Sequence, residues 1–218
     1  MPERAALFDM DRTLIATTSA ALYTRYQRER GEIGWAWSAR VALWLVQYYL
    51  GIIAAEKVAA RVLLGYRGKD DRELRLTTQE WFEEYVLGYV RAEARTTVDR
   101  HRQAGDLLAI VTAATEYAAR PLARELDIAH VVSSEVEVDE AGKLTGRAVP
   151  PLCYGPGKVA RTERLLERFD LDLERATFYS DSITDLPLLE RVGKPVVVCP
   201  DRRLRHVAKR RGWRIESW

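Results

Sequence analysis

The amino-acid sequence predicts an α/β fold: a parallel sheet with helices on its faces and a helical block inserted behind the first strand. Three observations predict it. Short apolar runs without polar alternation, such as Ala5-Ala6-Leu7-Phe8 and Leu107-Leu108-Ala109-Ile110-Val111, read as strands buried on both faces. Helical stretches separate these runs, the order that produces parallel strands joined by right-handed crossovers. Residues 16 to about 95 carry no strand signal at all.

The first strand leads straight into Asp9-Met10-Asp11-Arg12-Thr13. The block behind it predicts helices over 20–27, 35–50 and 54–64, with Gly31, Gly34 and Gly65 as punctuation. Asp70-Asp71 offers an N-cap before Leu74, and Thr77-Thr78 a second one before Trp81-Phe82. A helix over 96–104 then precedes the second strand, which ends in Thr112-Ala113-Ala114-Thr115. A helix over 116–126 and a third strand at Val131-Val132 follow, then a hairpin over 136–146 that turns at Glu140-Ala141-Gly142. Gly155-Pro156-Gly157 enters a helix that carries Lys158 and runs to Phe169. Ala176–Tyr179 is the fourth strand and Pro195–Cys199 the fifth, with helices at 186–192 and 205–211. The domain division expected is a core of 1–15 and 96–218 and a helical cap of 16–95, with hinges at Thr17-Thr18 and Arg95-Thr96.

The chain has 218 residues, enough for one good-sized domain or a core with a smaller one attached. Thirty-four Lys and Arg nearly balance 32 Asp and Glu, so the clustered basic excess of a nucleic-acid footprint is missing. The basic run from Arg202 to Arg211 reads as a solvated helix face. Cys153 and Cys199 lack C-x-x-C spacing, and His101, His130 and His206 are scattered; both argue against a zinc site and for a reducing, cytoplasmic setting. Asp9 and Asp11 fall where the apolar stretch of a signal peptide would lie. The apolar run Val41–Ala55 is shorter than the roughly 20 residues a spanning helix needs. It reads as a buried helix rather than a lipid contact.

The chemistry is concentrated at strand ends. Asp9 and Asp11 sit two apart in an extended chain, so their side chains share one side and repel unless a proton or cation intervenes. Thr112 ends the second strand, and Asp181 and Asp185 follow the fourth. In a parallel sheet those ends lie along one edge, where open α/β sheets bind ligands. Taken singly, each is an ordinary turn, cap or surface residue. Together they supply what phosphoryl transfer requires. Asp9 can attack phosphorus and form an aspartyl-phosphate. Asp11 can protonate the leaving oxygen and later activate water. Thr112 and Lys158 can hold the transferring oxygens. Asp9, the carbonyl of Asp11, and Asp181 can hold Mg²⁺, which takes few protein ligands and keeps several waters. Asp185 can bind the ion through water or orient Lys158.

These residues, in this order, resemble the four motifs of the haloacid dehalogenase superfamily: Asp9-Met10-Asp11-Arg12-Thr13, Thr112, Lys158, and Asp181 with Asp185. The resemblance covers the whole chain. It implies a Rossmann-like core, an inserted all-helical C1 cap and the phosphoserine-phosphatase-like branch. It further implies an Mg²⁺-dependent phosphatase acting on a small-molecule phosphate monoester. Its catalytic groups would be Asp9, Asp11, Thr112 and Lys158; its substrate contacts Thr112, Ala113, Lys158 and Arg12; its metal ligands Asp9, Asp11, Asp181 and Asp185. Three positions depart from the pattern. Arg12 stands where many members have Gly or Ser, Thr18 where phosphoserine phosphatases have a cap-side Glu, and Thr112-Ala113-Ala114 where they continue Ser-Gly-Gly. With the aromatic cap, these departures point to a larger or less polar leaving group than serine. Histidinol phosphate and a lipid phosphate both remain open.

Overall fold

The computed structural model describes residues 2–49 and 55–218, with side chains except at 41, 42, 45–49, 55, 56, 58 and 59. Residues 50–54, within the apolar run Val41–Ala55, lie outside the described residues. Among those described, no helix is long and apolar enough to cross a membrane.

The elements are β1 (Ala5–Phe8), α1 (Ser19–Glu29), α2 (Trp35–Tyr49), α3 (Ala55–Leu64), α4 (Asp71–Trp81), α5 (Ala92–Gln103), β2 (Leu107–Thr115), α6 (Glu116–Glu125), β3 (His130–Ser134), β4 (Val136–Val138), β5 (Leu144–Ala148), α7 (Pro156–Glu167), β6 (Ala176–Ser180), α8 (Leu186–Leu189), β7 (Lys194–Val198), α9 (Arg202–Arg211) and β8 (Arg214–Glu216). The main sheet is parallel throughout, in the order β3-β2-β1-β6-β7-β8. The chain builds one half outward from β1, crosses back over it, and builds the other half. β1 therefore lies at the point where strand order reverses, and such points open a crevice at the carboxyl edge.

The unbroken apolar character of β1 is explained by where its side chains go. Ala6 and Phe8 join one buried cluster and Ala5 and Leu7 the other, on opposite faces of the sheet. The first cluster continues without interruption into the inserted helices through Leu22, Tyr26, Trp81 and Phe82. Those helices thus share a core with the sheet instead of closing one of their own. A third cluster, built from Leu63, Leu74, Tyr117, Val136 and Leu144, fastens α3 and α4 to the β4–β5 hairpin. Backbone bonds reinforce the join: Gly68 N donates to Leu144 O at 2.8 Å and Asp71 N to Gly142 O at 3.0 Å.

Several local expectations change. Thr77-Thr78 does not cap a second helix; both lie inside α4, and the Thr78 hydroxyl donates to the Leu74 carbonyl at 2.9 Å. A threonine in a helix can satisfy its hydroxyl on the preceding turn, so it need not end one. The true cap is Asp70, whose carboxylate accepts from Glu73 N at 3.1 Å. Beyond α4 the chain continues as a π-helical turn over Phe82–Val86.

α5 begins at Ala92, so the hinge expected at Arg95-Thr96 falls within a helix; the Thr96 hydroxyl donates to Ala92 O at 3.1 Å. The chain instead leaves and re-enters the core side by side. Ala16 N donates to Tyr89 O at 2.9 Å and Arg91 N to Leu14 O at 3.0 Å. The inserted segment thus begins and ends at two adjacent stretches, Leu14–Ala16 and Tyr89–Arg91. β8 was not expected. It is a three-residue edge strand, too short to show a period.

Candidate active site

Register brings the site residues together. Phe8 pairs with Ile110 on one side and Tyr179 on the other. Asp9 is thereby level with residues 111 and 180, one step short of Thr112 and Asp181. Asp9, Thr112, Lys158, Asp181 and Asp185 are all buried to 93% or more. They line the floor of a cavity of about 560 Å³ together with Asp11 and Arg12.

Lys158 is the hub. Its Nζ lies 2.9 Å from Asp9 Oδ1 and 2.7 Å from Asp185 Oδ1. Burial opposes its charge, but Asp185 and Asp9 outweigh that and hold its pKa above the ordinary lysine value. The second oxygen of Asp185 accepts from the Ser180 hydroxyl at 2.7 Å. Both oxygens of Asp185 are thus engaged. Of its two expected roles, this geometry favours orienting Lys158 over binding metal.

Lys158 reaches Asp9 because α7 starts hard against the loop before it. A Cβ on Gly157 would fall 2.1 Å from the Leu152 carbonyl oxygen. Only glycine lets the backbones approach that closely. Gly157→Ala is expected to cost about 3 kcal/mol of stability and to displace Lys158, measured by denaturant unfolding of the variant beside wild type. A loss under 0.5 kcal/mol would show that the loop gives way freely.

Asp11 is anchored by the start of α1. Its Oδ1 accepts from Ser19 N at 2.8 Å and its Oδ2 from the Ser19 hydroxyl at 3.0 Å. Burial raises its pKa, and those two bonds pull against the rise. A buried carboxyl whose pKa is raised above the usual carboxylate range is better suited to giving a proton than an exposed one. Ser19 and Ser180 were missed by the sequence reading. No spacing rule links a serine to a carboxylate eight residues earlier across a turn.

Arg12 has a backbone φ of 60°. Its Nε lies 3.3 Å from Asp181 Oδ2, on a side chain about half exposed. It lines the cavity and pairs there with a carboxylate. The expected ligands Asp9, Asp11, Asp181 and Asp185 do not form a ready cage, and no group of three or more metal-binding side chains is gathered among the described residues. Lys158 and Arg12 draw three of those carboxylates, Asp9, Asp185 and Asp181, their own way.

The charge balance still fits a divalent cation. Four buried or half-buried carboxylates face two cations, Lys158 and Arg12, so that if all were ionised the site would carry two negative charges in excess. Burial pushes Asp181 up to about 7 despite Arg12. Burial likewise raises Asp9, with Asp185 and Asp181 adding repulsion and Lys158 opposing. Hard oxygen donors short of positive charge are what Mg²⁺ takes. Thr112 is 2% exposed and its hydroxyl oxygen accepts from Ala114 N at 3.2 Å; Ala113 is exposed.

Comparison with known proteins agrees with this geometry. The family described as haloacid dehalogenase-like hydrolase matches residues 6–190. The chain belongs to that family. Within it, the chain is similar to proteins of the phosphoserine-phosphatase-like branch. Phosphoserine phosphatase SerB1 of Mycobacterium tuberculosis (strain ATCC 25618 / H37Rv) is 30% identical, over 98% of this chain and 70% of that one. The histidinol-phosphatase of Neisseria meningitidis serogroup C is 28% identical over 96% of each. In structure, a protein of unknown function from Bordetella pertussis Tohama I superposes with a TM-score of 0.90 at 31% identity over 99% of both chains. A phospho-aspartyl intermediate analogue of phosphoserine phosphatase superposes with a TM-score of 0.72, at 15% identity over 100% of this chain and 94% of that one. The expected α/β sheet with its helical insertion is that fold.

Proposed function

We propose that this member of the family hydrolyses a small organic phosphate monoester through an aspartyl-phosphate on Asp9, with Mg²⁺ as cofactor. The observation that carries the reading is the Asp9–Lys158–Asp185 chain beside Asp11. It holds one carboxylate at the switch-point edge in contact with a buried ammonium, and keeps a second, proton-exchanging carboxyl close by.

Asp9 Oδ2, free of the Lys158 contact, is the attacking atom. Lys158 stays charged through the reaction and offsets charge on the transferring oxygens, with the Thr112 hydroxyl as a second donor. Asp11 donates its proton to the departing alkoxide, which its raised pKa favours, and then accepts one from the water that releases phosphate. Asp9, the Asp11 carbonyl and Asp181 would hold the Mg²⁺, which supplies the missing positive charge. Arg12 must yield Asp181 for that, and its half-exposed side chain has room to move. The helices over the floor exclude water from the intermediate.

The test is hydrolysis of p-nitrophenyl phosphate by the purified protein. Activity is expected with millimolar Mg²⁺, to fall below 1% in excess EDTA and to return when Mg²⁺ is restored. Undiminished turnover in EDTA would remove the metal from the reading.

A further inference from the structure

The cavity floor accounts for the phosphate; the rest of the cavity has to accommodate the alcohol that departs. Its volume, about 560 Å³, is far more than a phosphate needs and lies in the range of sites for drug-sized ligands. Among the described residues, every charged side chain lining it sits at the floor: Asp9, Asp11, Arg12, Lys158, Asp181, Asp185 and Asp201. Both cations there are engaged, Lys158 by Asp9 and Asp185 and Arg12 by Asp181. Asp201 is engaged too, capping α9 and accepting from Ile183 N at 2.7 Å.

Among the described residues the upper walls are uncharged. Tyr23, Tyr66 and Trp81 form one side, with Tyr23 edge-on to Trp81 at 5.4 Å and stacked near Tyr66 at 6.2 Å. Leu63, Leu74 and Leu144 continue the surface to the hairpin. Burial, with the carboxylates of Glu32 and Asp71 adding to it, raises the pKa of the Tyr23, Tyr66 and Tyr117 phenols, so this end of the cavity disfavours an anion. The carboxylates that act on these phenols, Glu32 and Asp71, do not line the cavity and are already paired, Glu32 with Lys69 and Gln27 and Asp71 with Arg75 and Tyr117, so an entering ammonium would meet no unpaired carboxylate and a carboxylate no free cation. Either would lose its hydration without a partner. An apolar group would bury surface against aromatic and aliphatic walls instead.

Resting on the phosphatase reading above, we infer that the leaving group is an uncharged, largely apolar alcohol that fills this Tyr23–Trp81–Leu74 chamber, and that the amino-bearing alcohols serine and histidinol are poor leaving groups here. The same chamber accepts a flat aryl or a linear alkyl group.

The experiment compares kcat/KM of the wild-type protein with Mg²⁺ on matched substrates. Phosphoethanolamine and propyl phosphate are near-isosteres that differ in the ammonium; O-phosphoserine and histidinol phosphate extend the charged set; hexyl and 1-naphthyl phosphate extend the apolar set. Propyl phosphate is expected to exceed phosphoethanolamine by at least about tenfold, because a buried site rejects an unpaired charge more strongly than it senses a methylene. Hexyl or 1-naphthyl phosphate should rise further, and whichever leads tells a chain-shaped from a ring-shaped alcohol. Equal or better turnover of phosphoethanolamine, O-phosphoserine or histidinol phosphate would overturn the inference while leaving the phosphatase reading intact. No turnover of any member, p-nitrophenyl phosphate included, would overturn both.

Discussion

Asp9→Asn is expected to lower kcat for p-nitrophenyl phosphate by at least about 10⁴-fold, with the fold intact. The amide has the shape of the carboxylate but cannot attack phosphorus. The change removes one carboxylate from a site where four acids face two bases, and burial already raises the pKa of Asp9. Lys158 keeps Asp185 at 2.7 Å as its partner, so no buried cation is abandoned. Circular dichroism and thermal unfolding should therefore match wild type within a few degrees. Folded Asp9→Asn protein that retains more than about 1% activity would exclude Asp9 as nucleophile.

Lys158→Met is expected to be damaging in a different way. The ammonium is 1% exposed and bridges Asp9 and Asp185. Methionine fits the space but leaves two buried carboxylates facing each other without a cation. Removing one partner of a buried ion pair typically costs about 3–5 kcal/mol, because the stranded charge remains desolvated. In a chain of this length that is roughly 6–20 °C in Tm. Activity should fall about 10³-fold as well, since the charge opposite the transferring oxygens is gone. The two effects separate the variants: Asp9→Asn loses catalysis with little loss of stability, and Lys158→Met loses both. A Lys158→Met protein as stable as wild type would mean that Asp9 and Asp185 take up protons freely, and that the lysine does not hold the floor together.

The residues that build the floor were readable because their constraints are local. Ala5–Phe8 must be apolar on both faces to lie in the middle of a parallel sheet, and that leaves a run without alternation. Strand ends carry hydroxyls and carboxylates where the sheet meets its ligand, so Asp9, Thr112 and Asp181 announce the edge. Gly155-Pro156-Gly157 marks a helix start, which put Lys158 in the first turn of α7. The start of α5, in contrast, lay hidden. Glu93-Ala94-Arg95 are good helix formers and merge in sequence with the helical block before them, and the pairing of Tyr89–Arg91 with Leu14–Ala16 that separates the two is non-local. Thr77-Thr78 misled because a threonine can satisfy its hydroxyl either as a cap or on the preceding turn, and only the path of the chain decides which.

By itself the sequence determined the order of strands and helices along the chain, the helical character of the insertion, and which hydroxyl and carboxylate side chains stand at the strand ends. Those properties follow from periodicity and residue type over a few neighbouring positions. Tertiary structure alone decided who partners whom. It put Ser19 on Asp11, Ser180 on Asp185 and Arg12 on Asp181. It also ran the core of the sheet on into Tyr26 and Trp81, and closed Tyr23, Leu74 and Leu144 over the floor as an uncharged chamber. Partnership of this kind is a matter of distances between residues far apart in the chain, set by register and packing, and no short window of sequence carries them.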